Sequence, residues 1–234
     1  NHRRGDFTPY LFVTNDGGRS FRSLAGGLPR GGPDFVHVVR EDPKNQDLLY
    51  VGTDVGAYIS GDRGATWQKF MTGLPNVPVH DLKIHPRDAE LIAATHGRGF
   101  WIVDVAPLQQ LTRTVAAMPA YLFAPRTAFQ WGEPPIEGGS TGHQIFQSPS
   151  PQYGADIWYR LTKAGGATRI VIQDAKGDTL QTLTGLGSAG IHRVSWNFNG
   201  RPPVRAALTG AALRDSILQA RRIATALDSI EKAG

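Results

Sequence analysis

No cysteine occurs in the 234 residues, which excludes disulfides, thiolate catalysis and cysteine-ligated zinc or iron–sulfur centres. No apolar run approaches the roughly 18 residues of a membrane-spanning helix, so no membrane span is expected. The seven histidines (His2, His37, His80, His85, His96, His143 and His192) never form a close His-x-x-x-His pair with an acidic partner, the spacing a helical zinc site uses. No metal and no cofactor are therefore expected, although calcium at an Asp-rich turn stays open without a nameable ligand set. A nucleophile elbow and a phosphate-cradling glycine loop are also missing, since Gly187-Ser188-Ala189-Gly190 lacks the strand-to-helix context. The start at Asn1-His2-Arg3-Arg4 has neither Met nor a signal peptide, and it is read as a truncation.

Charge of one sign is scarce as well. The formal net charge is +5, but residues 1–105 hold 12 basic and 12 acidic residues, and residues 106–234 hold 13 and 8. The excess is spread over Arg160, Lys163, Arg169, Lys176 and Arg193, with only Arg221-Arg222 adjacent. A nucleic-acid surface would gather such residues into one stripe, so no nucleic-acid partner is expected. The 28 glycines and 16 prolines point to a loop-rich, mostly β chain.

What the chain does have is a phrase that occurs twice. Thr14-Asn15-Asp16-Gly17-Gly18-Arg19-Ser20-Phe21 matches Ser60-Gly61-Asp62-Arg63-Gly64-Ala65-Thr66-Trp67, 46 residues on. Each copy has a hydroxyl, then Asp two positions on, Gly four on, a second hydroxyl six on and an aromatic seven on. That is a tight hairpin: Asp16 and Asp62 accept from backbone N–H groups ahead of them, Gly18 and Gly64 serve the turn, and Phe21 and Trp67 cover the hairpin base. The phrase resembles the Asp-box of bacterial-neuraminidase-type repeats, found in sialidases, xyloglucanase-like enzymes and sortilin-like propellers.

The surrounding text repeats too. Gly27-Leu28-Pro29 recurs as Gly73-Leu74-Pro75, and Val36-His37-Val38-Val39 before Asp42-Pro43 is echoed by Val79-His80-Asp81-Leu82 before His85-Pro86. Leu48–Thr53 and Leu91–Thr95 are short β-branched and aromatic runs. Four short strands in about 45 residues match a propeller blade. Residues 10–24 supply the last two strands of one blade, 35–70 a whole blade, and 79–104 the first three strands of another, with Leu108–Leu111 a candidate for the fourth. A propeller needs at least about four blades, so the remaining ones are expected from upstream sequence or another chain.

Residues 106–154 are rich in Pro and Gly and read as an extended connector with one or two strands. Residues 155–199 then show period-2 alternation at 156–161, 168–173, 179–183 and 192–198, with Asp174-Ala175-Lys176-Gly177-Asp178 as a hairpin loop. Val194, Trp196 and Phe198 are expected on one core-filling face. This half is similar to the Ig-like module of the flagellar-hook-cap type. In residues 200–234, Leu213, Ile217, Ala220, Ala224 and Leu227 have helical spacing, with Thr209 as N-cap and Gly234 past the end.

The fold class expected is thus all-β: terminal propeller blades over 1–105, the connector over 106–154, an incomplete Ig-like sandwich over 155–199, and a helical insertion or tail over 200–234. Together with Thr95–Asp104 and Tyr121–Arg126, the chain resembles large exported bacterial proteins with a sortilin-like Asp-box propeller and a C-terminal Ig-like module, often labelled glycosyl hydrolase. The resemblance implies a secreted, periplasmic or cell-surface location. It also implies a non-catalytic binding or scaffolding role toward protein, peptide or glycan, or alternatively a glycoside hydrolase whose catalytic residues lie mostly in further blades.

Glycoside hydrolysis needs two carboxyl groups roughly 5 to 9.5 Å apart. Asp54, at the end of a second strand, and Asp81, within a first strand, are the candidates to face a central channel; both also fit as turn caps or solvent-facing residues. A sialidase would need an arginine triad and a tyrosine nucleophile, for which Arg40, Arg98, Tyr50 and Tyr58 are available without any arrangement being fixed. His96 and Arg98, flanked by Gly97 and Gly99, are the candidate anion-binding pair, with a purely structural turn as the other reading.

Overall fold

The computed structural model describes residues 2–130, 152–200 and 209–231. Strand outweighs helix, 37% against 14%, which gives a mostly β molecule with few helices. The chain divides into two compact units, 1–198 and 199–234.

In the first unit, β1 (Phe12–Val13) and β2 (Arg22–Ser23) form a short hairpin. Then β3 (Val36–Glu41), β4 (Leu49–Thr53), β5 (Gly56–Ser60) and β6 (Gln68–Lys69) form a four-stranded antiparallel meander in sequence order. Next, β7 (Val79–His85), β8 (Glu90–Thr95) and β9 (Phe100–Asp104) form a three-stranded meander.

The four-stranded sheet is covered on both faces, which is why every residue of β4 is buried. On one face Leu49, Val51, Tyr58 and Trp67 pack against Leu11, Leu24, Ala25 and Leu28. On the other, Val38, Tyr50 and Ala57 meet Val79, Leu82, Ile84, Leu91 and Ala93 of the next sheet. The approach is close: an ideal Cβ on Gly52 would lie 2.5 Å from the Val79 carbonyl oxygen. Only glycine lets the two backbones come so near.

Both turns carrying the repeated phrase have one hydrogen-bond pattern. Asp16 Oδ1 accepts from the Arg19 and Ser20 N–H groups at 2.9 Å, its Oδ2 accepts from Ser20 Oγ at 2.6 Å, and Thr14 Oγ1 accepts from the Gly18 N–H at 2.8 Å. In the second copy Asp62 accepts from the Thr66 N–H (2.8 Å) and hydroxyl (2.6 Å), and Ser60 Oγ accepts from the Gly64 N–H (2.8 Å). The carboxylate thus takes over the donors that the sharp chain reversal leaves unpaired.

Leu108–Leu111 is not a fourth strand beside β9. Pro107 opens a short helix, α1 (Ala106–Gln110), which α2 (Arg113–Ala117) follows with Thr112 as N-cap. Proline suits the first turn of a helix, where its missing N–H is not needed. Gln109 anchors α1, donating to the buried Asp42 carboxylate at 2.9 Å, which also accepts from the Tyr50 hydroxyl at 3.2 Å.

Beyond the helices, β10 (Ala120–Leu122) pairs with β11 (Ala155–Leu161), which pairs with β14 (Gly190–Trp196). The hairpin β12 (Thr168–Gln173) and β13 (Thr179–Gly185) turns through Asp174–Asp178, with Gly177 at φ 89°. Tyr159, from β11, is buried, and its hydroxyl donates to the Leu186 carbonyl at 2.7 Å. Phe198 lies past the end of β14 at φ 63°, so the alternation through Val194 and Trp196 stops before it, and all three are half-buried. The remainder of the 106–154 stretch, residues 131–151, lies outside the described residues.

The second unit holds α3 (Gly210–Glu231). Thr209 precedes it, Ile217, Leu218 and Ile223 are exposed, and Gly234 lies outside the described residues.

Candidate functional site

The two meanders share a backbone irregularity at the start of their first strands. Pairing between β3 and β4 passes from Val36↔Thr53 to Val38↔Gly52, leaving His37 unpaired; between β7 and β8 it passes from Val79↔Thr95 to Asp81↔Ala94, leaving His80 unpaired. A bulge of this kind reverses which face later residues point to and re-aims the extra side chain. The cores record the reversal. Val36 and Val38, two apart, join opposite cores, whereas Val79 and Leu82, three apart, join the same one.

The residue just past the second strand is also held alike in both repeats. The Asp54 N–H donates to the Phe35 carbonyl at 3.2 Å and the His96 N–H to the Pro78 carbonyl at 2.9 Å. Each repeat therefore offers two side chains at one end of its sheet: His37 with Asp54, then His80 with His96. Because the sheets pack face to face, these side chains form a row. His37 Nε2 is 3.0 Å from Asp54 Oδ1. The His37 and His80 ring centroids are 4.5 Å apart, those of His80 and His96 5.3 Å, and Phe35 stands edge-on to His37 at 4.8 Å. The His37 and Asp54 side chains are 21% and 32% exposed, within reach of solvent yet braced by neighbours.

One potential donor atom from each of His37, Asp54 and His80 lies within 4.8 Å of the others. The spacing of histidines along the chain argued against a metal site. That spacing does not bear on this grouping, which runs between repeats, 43 residues apart, and not along one helix. Of the expected site residues, Asp54 and His96 fall in the row. Their partners His37 and His80 carried a signal in the sequence, since both stand second in the repeated Val-His pair.

Asp81 does not join the row. Its Oδ1 accepts from Arg40 at 2.5 Å and from the Leu82 N–H at 2.8 Å, and Arg40 also donates to the Leu82 carbonyl at 2.8 Å. It is half of a surface ion pair that ties β3 to β7. Arg98 sits in an exposed turn whose Gly97 and Gly99 have φ of 81° and 69°, and its carbonyl accepts from Trp101 Nε1 at 3.1 Å. Among the described residues its guanidinium has no partner.

Tyr50 and Tyr58 are unsuited to act as nucleophiles. Burial, reinforced by Asp42, pushes the Tyr50 phenol far above its ordinary range; burial, reinforced by Asp34, pushes Tyr58 up to about 12. Both hydroxyls donate to those carboxylates.

A separate cavity of about 780 Å³ lies among Asp88, Glu90, Asp104, Arg126, Asp156 and Trp158. Its carboxylates face arginines. Arg126 pairs with Asp104 at 3.1 Å and Glu90 at 3.7 Å, and Arg193 stands 3.5 Å from Asp156. The Arg87 hydrogen bond and charge hold the Asp88 carboxyl below its ordinary value despite some desolvation. A general acid requires the opposite, a carboxyl raised toward neutrality. Comparison of the chain with protein-family models, curated proteins and solved structures finds no match.

Proposed function

We propose that the two meanders are blades of an Asp-box β-propeller in an exported bacterial protein, followed by an Ig-like module, and that the assembly is a non-catalytic binder or scaffold for protein, peptide or glycan. The ligand is engaged at the sheet end where His37, Asp54, His80 and His96 line up, with Arg98 in the exposed turn that follows His96. Further blades, from the same polypeptide or another chain, pack on the open side of β9, where Phe100 and Ile102 are 77% and 63% exposed.

The observation that carries this reading is that the singled-out carboxylates are committed to structure. Asp16 and Asp62 close turns, Asp81 holds Arg40, and Asp54 holds His37. A glycosidase keeps one carboxyl protonated and a second free across a cleft. The repeats support a rigid platform whose corresponding positions present a shared histidine at the bulge, His37 and His80, and a side chain that differs behind it, Asp54 and His96.

Probing glycan and peptide arrays with the whole chain, followed by a reducing-sugar assay on every glycan retained, tests the proposal. Retention without sugar release is expected. Sugar release that disappears in Asp54→Asn would transfer the chain to the glycoside hydrolases.

A further inference from the structure

The row at the sheet ends has the chemistry of a metal centre. Two imidazoles and one carboxylate are the donor types that zinc takes, at about 2.0 to 2.2 Å. A tetrahedral ion at such bond lengths needs donors about 3.4 Å apart; the His37 Nε2 to Asp54 Oδ1 separation of 3.0 Å already lies near that value. The His80 donor lies within 4.8 Å of both, a gap that a side-chain rotation closes. Two features hold the donors in place. The bulges fix the backbone at His37 and His80 in the same way in both repeats, and the Asp54 N–H is tied to the Phe35 carbonyl.

From this geometry we propose that His37, Asp54 and His80 bind one divalent transition-metal ion of the imidazole-preferring class, zinc in the first instance, across the junction between the two meanders. The ion replaces the direct contact between His37 and Asp54, so that both atoms now ligate it, and three protein ligands leave the fourth position open toward solvent. His96 neighbours the site through His80, the two ring centroids being 5.3 Å apart. Hard cations are disfavoured: calcium asks for six to eight oxygen ligands and magnesium for an octahedral oxygen shell, whereas the site has two nitrogens among its donors. The inference rests on where these four side chains lie and not on the propeller reading.

The test is isothermal titration of zinc into the chelator-stripped whole chain, carrying no affinity-tag histidines, beside titrations of His37→Ala, His80→Ala, Asp54→Asn and His85→Ala. One equivalent is expected to bind. Affinity falls by about 100-fold or more in either His37→Ala or His80→Ala and by about tenfold in Asp54→Asn, while His85→Ala, outside the row, keeps it. Calcium and magnesium give no heat. His37 and His80 are at unpaired bulge positions outside both cores, so circular dichroism should show the variants folded. A variant that unfolds is replaced by His→Gln at the same position, which keeps the volume. Absence of a one-equivalent site, or a site that survives both His37→Ala and His80→Ala, overturns the proposal.

Discussion

The same eight-residue turn occurs in two settings. Around Asp62 the aromatic is inside: Trp67 is 9% exposed, packs on Leu24, Ala25 and Leu28, and donates from its indole to the Leu24 carbonyl at 2.8 Å. Around Asp16 it is outside, with Phe21 66% exposed. The glycines differ in step. A Cβ on Gly64 would touch Leu24 at 3.0 Å, while one on Gly18 would meet nothing nearer than Phe21 at 3.9 Å. Yet the hydrogen bonds inside the two turns match almost bond for bond. The turn is thus specified locally by its own hydroxyls and carboxylate, whereas burial of its aromatic needs a segment about 40 residues earlier in the chain, which Trp67 has in Leu24, Ala25 and Leu28.

That difference has its largest consequence at the aromatic itself. Trp67→Ala removes a buried ring and orphans the Leu24 carbonyl, and it should cost about 3 to 5 kcal/mol of unfolding free energy. Phe21→Ala should stay within about 0.5 kcal/mol. Urea unfolding followed by circular dichroism measures both; equal losses would mean the two turns are equivalent after all.

A second break in symmetry lies one strand away. Gly52 in β4 is enclosed by Val38 and Val79, whereas the corresponding place in β8 is taken by Ala94, which is half-buried. Gly52→Ala should destabilise by about 1 to 3 kcal/mol, the usual cost of overfilling a packed site, and Ala94→Gly by about 0.5 to 1 kcal/mol from backbone entropy. A Gly52→Ala chain as stable as the parent would mean that the Val79 carbonyl does not lie within 2.5 Å of the place a Cβ on residue 52 takes.

These contrasts mark what the sequence discloses. The turns, strands β3 to β5 and β7 to β9, and the Asp174–Asp178 hairpin are legible because each is set by residues close together in the chain. Helix α1 was not, because Leu108-Gln109-Gln110-Leu111 is too short to favour a period. What decides is Pro107 and the Gln109 bond to Asp42, 67 residues back. The histidine row was half legible. Asp54 and His96 stood out at strand ends, but the meeting of His37 and His80 along the sheet end depends on bulges, which a period-2 reading cannot contain. Asp81 stayed open between a channel-facing and a solvent-facing reading for the same reason: its face depends on the bulge, and its bond to Arg40 spans 41 residues.

The smallest effect expected is also the one that isolates the local part of the turn. Hydrogen bonds from the Ser20 hydroxyl and N–H, then Thr14, hold the Asp16 carboxyl at about 2, below its ordinary 3.8. At Asp62 burial works the other way, but bonds from Thr66 and Ser60 outweigh it and the carboxyl is again lowered. A depressed folded-state value means that the unfolded chain takes up its proton first as the pH falls. The turn's contribution is therefore full above about pH 4 and is lost progressively toward pH 2. The urea midpoint of the parent chain should fall over that window, and Asp16→Asn and Asp62→Asn should each flatten part of the fall, by similar amounts despite their different surroundings. If only Asp62→Asn changed the slope, the packing beneath the turn would govern its charge as it governs its aromatic, and the turn could no longer be regarded as a locally specified unit.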